Sequence, residues 1–383
     1  MRKPFFAILF VLITALTVAD SARAQREGFI TVEGGTLKSK LDAAISKGRT
    51  GQARFWAAYS FDVRPGVAVD LEFNDGHGNR TIVNGTVYSN GTRMETRNLG
   101  VFVLYEPGGN TIERVEVYNL DRQHEYSGYR VYWMGRAANE ESLNFLKSLI
   151  DSTQLSKAAE SAVVALSLHD DPRIVGMLED IARRANSEKL RSTAVFWLGQ
   201  MPGPHPYLAE LARNEQESTK LRKDAVFAIG VGSDPSAIAT LQSLYDSVTA
   251  YDVKKQIVFA ASIHHGEAGN KNDDEGVSFL IKVAENNTDR ALKKEALFWL
   301  GQKAGQRSLD ALGKTVESRD ADTEVQKQAV FAISQRPKDE AVPLLIKIAR
   351  THAKPEVRKQ AIFWLGQTGD ERALEFFKEI LSK

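Results

Sequence analysis

Phe-Trp-Leu-Gly-Gln stands three times in this chain, at residues 196–200, 298–302 and 363–367. Weaker copies fill the gaps: Phe227-Ala-Ile-Gly-Val231, Phe259-Ala-Ala-Ser-Ile263 and Phe331-Ala-Ile-Ser-Gln335. The leading phenylalanines are separated by 31, 32, 39, 33 and 32 residues. A further register lies 32 residues upstream of Phe196, at Val164 within Ser161-Ala-Val-Val-Ala-Leu-Ser167. The long interval contains an insertion, Gly266-Glu-Ala-Gly-Asn-Lys-Asn-Asp-Asp-Glu-Gly276. A fixed period of this size with apolar residues every three or four positions predicts a solenoid of helix pairs, because one pair cannot bury its apolar face alone. About seven pairs are expected over residues 139–383.

Each unit reads as two helices. Ala341 to Arg350 forms one, Thr351 to Lys354 a turn, and Pro355 to Gln367 the second. Pro355 suits a first helical position, where its fixed φ and missing donor cost nothing, and Gly366 or Gly369 suits a left-handed stop. The core Val357-Arg358…Ala361…Leu365-Gly366 resembles the HEAT-repeat family, its bacterial HEAT-like branch in particular, over roughly residues 140–383. The resemblance implies a superhelical array whose second helices line a concave, partner-binding surface. Some HEAT-like relatives are iron hydroxylases with His-Glu pairs just before the Ala of the second helix. Here those places hold Lys223-Asp224, Lys255-Gln256, Lys294-Glu295, Lys327-Gln328 and Lys359-Gln360, so that chemistry is not expected.

At 100° per residue, Val357, Ala361, Leu365 and Trp364 share the inward stripe of their helix, and Phe363 points nearly opposite. Applied to every copy, this sorts Phe196, Phe227, Phe259, Phe298, Phe331 and Phe363 into a ladder. Lys223, Lys255, Lys294, Lys327 and Lys359 run along one side of it, and Gln200, Gln302, Gln335 and Gln367 along the other. Trp197, Trp299 and Trp364 alternate with Ala228, Ala260 and Ala332 at the inward place, as large-small filling of a core requires. Two readings of the ladder stay open. The rings pack between neighbouring helices, or they form an apolar stripe with cationic edges that receives a protein or peptide segment.

Upstream, from about Gly28 to Arg136, the pattern is β. Arg54–Asp62, Val67–Phe73, Leu99–Tyr105, Ile112–Tyr118 and Tyr129–Trp133 read as strands, separated by turn clusters at 74–79, 84–85, 90–91 and 107–110. A short helix is expected at Thr36–Ser46. Residues 25–138 are therefore expected to form an all-β, sandwich-like module ahead of the all-α solenoid, a multidomain α+β chain. Trp56, Tyr59, Phe61, Tyr129, Tyr132 and Trp133 suggest a sugar-stacking platform, the basis of an alternative reading as a cell-envelope glycan-binding protein. At period-two spacing the same residues also suit a core.

Met1-Arg-Lys3, the apolar run Phe5–Val18 and Ala22-Arg-Ala24 have the three parts of a secretory signal peptide. Cleavage after Ala24 and a periplasmic or secreted mature protein are expected, with no stable membrane span. The chain of 383 residues has 50 Lys and Arg against 49 Asp and Glu, a balance unsuited to gripping nucleic-acid phosphates. It has no Cys, which excludes disulfides and thiolate chemistry. Its seven histidines are scattered, and His264-His265 beside Glu267 is the one suggestive cluster. No catalytic residue, metal or cofactor is expected. The chain reads as a non-catalytic interaction scaffold or regulator.

Overall fold

The computed structural model describes residues 28–69, 82–84, 87–89, 92–152, 156–264, 272–286, 288–318 and 321–382. The signal segment 1–24, the turn clusters at 74–79 and 90–91, and most of the insertion at 266–276 lie outside the described residues. The chain divides into two compact units, Met1–Leu198 and Gly199–Lys383.

The first unit opens with a strand-rich part. Strands β1 (Ile30–Thr31), β2 (Phe55–Ser60), β7 (Leu99–Tyr105), β8 (Ile112–Asn119) and β9 (Arg130–Arg136) build one five-stranded sheet in the order β1-β9-β2-β7-β8. The sheet is mixed: β9 runs parallel to both β1 and β2, while β2–β7 and β7–β8 are antiparallel. Short strands β3 (Val67–Val69) with β4 (Ile82–Asn84), and β5 (Val87–Ser89) with β6 (Thr92–Met94), form two separate two-stranded ladders. Every residue of β7 is buried, as its unbroken apolar run requires of a central strand. Trp56, Ala58, Phe102, Tyr118, Tyr126 and Val131 cluster in the core on one face. On the same strand Phe55, Ala57 and Tyr59 alternate to the other face, where helix α1 (Leu37–Thr50) lies against β2 and β9. Thr36 caps α1 in a reciprocal box with Ser39.

Helices α2 (Asn139–Ile150), α3 (Ser156–Ser167), α4 (Ile174–Arg184) and α5 (Glu188–Gly199) follow. The backbone after β2 runs along the end of α3, where Val63 pairs with His169 and the Arg64 amide donates to Leu168 O at 3.0 Å. Here His169, Ser142 and Tyr59 make a buried chain. Ser142 Oγ lies 2.9 Å from the Tyr59 hydroxyl and 2.7 Å from His169 Nε2, and His169 Nδ1 lies 2.8 Å from Ala165 O. A carbonyl only accepts, so Nδ1 carries the proton and Nε2 accepts from the Ser142 hydroxyl. The Phe61 ring stacks on the imidazole at 4.0 Å. Burial pushes the His169 pKa down to about 4.

The second unit continues the pairs. It contains α6 (Pro206–Arg213), α7 (Thr219–Val231), α8 (Ala237–Ser247), α9 (Tyr251–Ile263), α10 (Asn272–Asn286), α11 (Arg290–Gln302), α12 (Gln306–Glu317), α13 (Thr323–Ser334), α14 (Lys338–Thr351) and α15 (Pro355–Thr368), then α16 (Glu371–Leu381). From α2 to α15 the helices alternate as first and second members of seven pairs, the number read from the period. Pro355 stands at the start of α15 and Gly369 ends it with φ +59°.

Two devices hold the pairs. The first is a side-chain donor five residues before five of the six ladder phenylalanines, Phe259 excepted, that reaches the carbonyl end of its partner helix. Arg191 Nε donates to Ala182 O at 2.6 Å, Arg222 Nε to Ala212 O at 3.0 Å, Lys293 Nζ to Glu285 O at 3.1 Å and Gln326 Nε2 to Val316 O at 2.8 Å. Arg358 NH1 does the same for His352 O at 2.7 Å. Each satisfies a carbonyl that the helix itself leaves without a donor, and the cations also oppose the negative helix end. The second device is close approach of consecutive second helices. A methyl group on Gly199 would sit 2.5 Å from Ala228 O, on Gly230 2.7 Å from Ala260 Cβ, and on Gly301 2.7 Å from Ala332 O.

Two outcomes are expected. Unfolding free energy falls as pH drops from 6.5 to about 4, because the unfolded state then protonates a histidine that the folded state keeps neutral. The loss is about 3 kcal/mol at 1.36 kcal/mol per pKa unit and is absent above pH 6.5. Urea titrations across that window should show this slope, and His169→Gln should flatten it. Separately, Arg222→Met should cost about 1–3 kcal/mol by leaving Ala212 O without its donor. Arg222→Gln should cost less, since Gln326 fills the same role at the same ten-residue spacing.

Candidate functional site

The ladder phenylalanines sit on the second helices, and none of them is buried. Phe196, on α5 in the first unit, is 38% exposed, and Phe363, on α15, is 55% exposed. Phe227, Phe259, Phe298 and Phe331 are half-buried. The inward places are filled by the stripe expected from the 100° turn: Val357, Ala361 and Leu365 are at most 1% exposed.

Within the second unit the rings touch in series. Phe227 stacks on Phe259 at 6.3 Å and 4° between planes. Phe259 meets Trp299 at 5.0 Å, and Trp299 meets Phe298 at 4.9 Å. Phe298 stacks on Phe331 at 6.3 Å, Phe331 meets Trp364 at 5.1 Å, and Trp364 meets Phe363 at 5.0 Å. Stacked and edge-on pairs at these separations each contribute about 0.5–1.5 kcal/mol beyond area burial. Trp299 and Trp364 differ from the inward filling read from their helices. Both are half-buried, each leaning on the Phe of the preceding second helix, while Trp197 is buried. A helical wheel places a side chain about its own axis. It does not see that an indole is long enough to reach the neighbouring helix and join the surface.

The lysine column is partly neutralised. Lys255 Nζ pairs with Glu295 across helices at 3.3 Å, and Lys327 with Glu324 at 2.9 Å. Glu295 also accepts from Trp299 Nε1 at 2.9 Å, which ties the cation column to the ring series. The equivalent place before Trp364 holds Gln360, and Trp364 Nε1 is buried with no acceptor. Lys223 and Lys294 are half-buried and Lys359 is exposed. Gln302, Gln335 and Gln367 are exposed, and Gln200 is half-buried. A hollow of about 440 Å³ opens on this face, lined by Ala291, Lys294, Glu295, Phe298 and Gln328. Another, of about 410 Å³, lies between α6, α7 and α8. Its polar groups are engaged: Arg213 donates to Ser243 and Ser247, and Asp234 accepts from Ser236.

Other sequence candidates fall elsewhere. Trp56, Tyr59, Phe61 and Tyr132 are in the core, and only Tyr129 and Trp133 of the sugar-platform set are half-buried. His264 is buried with Nδ1 3.0 Å from Gly230 O, while His265 and Glu267 lie outside the described residues. Among the described residues, no group of three or more His, Asp or Glu is placed to hold a metal ion. No described helix is long and apolar enough to cross a membrane. The cross-helix role of Glu295 escaped the sequence reading; its only signal was an acid four residues before a tryptophan.

Residues 314–383 match the family model described as HEAT repeats. No curated protein matches the chain. Among solved structures it is similar to human deoxyhypusine hydroxylase in complex with glycerol, at 18% identity and a TM-score of 0.30, over 63% of this chain and 90% of that one. It is also similar to YibA of Escherichia coli, at 16% identity and 0.32, over 60% and 82%. For Kap121p the values are 13% and 0.29, over 63% of this chain and 34% of that one. With the period, the seven pairs and the matched stretch in hand, this chain is a helical repeat protein that carries HEAT repeats at residues 314–383.

Proposed function

We propose that the chain is an exported, non-catalytic scaffold whose second-helix face captures a segment of a protein partner in the cell envelope. One observation carries this reading: seven aromatic rings in unbroken series, from Phe227 to Phe363, stay at least half-exposed or half-buried along one face rather than closing into the core. A contiguous apolar stripe bordered by charged and amide side chains is the surface expected of an interaction site. The hollow beside Phe298 gives an anchoring side chain a place to enter, with Lys294 at its edge. Export rests on the residues 1–24 alone.

Capture is tested where the fold has least to lose. Lys294→Glu and Lys359→Glu together, and Phe363→Ser alone, should each reduce crosslinking to the envelope partner at least about tenfold, a loss of about 1.4 kcal/mol. Thermal unfolding should move little, because Phe363 and Lys359 are exposed. Unchanged crosslinking in both variants would remove the face from consideration. N-terminal sequencing of the fractionated mature protein should begin at Gln25; a start at Met1 would remove the export claim.

A further inference from the structure

The hollow of about 410 Å³ between α6, α7 and α8 lies wholly within the second unit, beside a shortened helix. α6 has 8 residues where α8 has 11. Ahead of α6, where a further turn would stand, runs Met201-Pro-Gly-Pro-His-Pro206, with Gly203 at φ +90°. Three prolines fix φ along this loop, so it makes a stiff wall and the hollow keeps its shape without an occupant. Its volume falls within the range of small-ligand sites, about 300–1,000 Å³.

Charge is segregated along the hollow. A shift of 30 residues carries Pro206 onto Ser236 and Arg213 onto Ser243, so α6 and α8 run in the same direction. At one end Arg213 donates from Nε to Ser247 Oγ at 3.2 Å and from NH2 to Ser243 Oγ at 3.0 Å. A guanidinium has five N–H groups, so three remain, both of those on NH1 included. At the other end Asp234 is half-buried and accepts from the amide and hydroxyl of Ser236, each at 2.9 Å. There too His205 Nε2 lies 3.0 Å from Met201 O. A carbonyl only accepts, so Nε2 carries the proton and Nδ1 offers a lone pair. Neither Arg213 nor Asp234 has an oppositely charged partner among the described residues. Leu208, Ala209 and Ala239 line the stretch between them.

We propose that this hollow binds a short peptide of about three residues with free termini. Its carboxylate sits on Arg213, its ammonium on Asp234 and His205 Nδ1, and its apolar side chains against Leu208 and Ala239. Length sets the size of the ligand. Pro206 to Arg213 is the whole of α6, a rise of about 10 Å, and an extended tripeptide spans about the same. Chemistry sets its ends, because a guanidinium takes a carboxylate through paired N–H groups. A simple anion would leave Asp234 unanswered, and a simple cation would leave Arg213. The hollow shares no residue with the aromatic ladder or its Lys and Gln columns, so the site stands whether or not that face captures a partner.

Isothermal titration of the full chain with the tripeptide Ala-Leu-Ala is the test. Saturable binding at one site is expected, weakened at least about tenfold by N-acetylation of the peptide and likewise by C-terminal amidation. Arg213→Gln should erase the preference for the free acid over the amide and keep the preference for the free amine. Asp234→Asn should do the converse. Arg213 is exposed, and asparagine keeps an oxygen for the Ser236 amide, so circular dichroism should be unchanged in both variants. Absence of saturable heat, equal affinity for the blocked and free peptides, or preferences that both variants leave intact overturns the inference. So does acetate or ammonium binding as tightly as the tripeptide, since that makes the hollow a simple ion site.

Discussion

Close approach of consecutive second helices is the constraint on which the rest of the second unit depends. Three glycines let the backbone of one helix meet an alanine of the next with no side chain between them. Helices this near must bring the residues one turn away into contact as well, and those are the ladder phenylalanines. A wider spacing would separate Phe227 from Phe259 and Phe298 from Phe331, and the ring series would break into isolated side chains. The aromatic face is thus a by-product of backbone distance, and its order comes from packing that lies beneath it.

Where serine replaces glycine, tryptophan replaces alanine in the following helix. The indole then spans the gap and reaches the previous Phe at 5.0 or 5.1 Å. Small and large residues therefore share the work of holding the helices in register, by contact in one case and by a bridge in the other. The bridge has a polar cost. Trp299 meets it with Glu295, which Lys255 in turn neutralises, whereas Trp364 leaves its N–H buried without an acceptor. Burying an unmade hydrogen bond costs about 1–3 kcal/mol, so the last junction is the weaker copy of the same design.

Much of this was legible in the sequence. The period named the architecture, Pro355 marked the start of a helix and Gly366 or Gly369 its end, and the 100° turn separated Val357, Ala361 and Leu365 from Phe363. These are local features, and local rules recover them. Trp197 is buried as read, but Trp299 and Trp364 were not recovered, because their position depends on the neighbouring helix and not on their own. The sheet was legible as strands but not as an order. Alternation assigns faces to Phe55–Ser60 and Arg130–Arg136, yet nothing in it says that β9 inserts parallel between β1 and β2. The Tyr59–Ser142–His169 chain joins residues up to 110 apart in sequence through tertiary contact alone, and no motif announces it.

The donors five residues before each ladder Phe show how one repeat position serves different ends. Arg191, Arg222, Lys293, Gln326 and Arg358 differ in charge and length, yet each reaches a carbonyl at the end of its partner helix. Lys254 departs: its ammonium lies over the Tyr245 ring at 5.0 Å. What the repeat maintains is a donor or cation at the foot of the first helix, and not one residue. The Arg or Lys of the motif is therefore structural, and the lysine one place later, on the ladder side, is released from holding the pair together. That division explains how a single Lys-rich stretch both closes the helix pair and edges its exposed aromatic face.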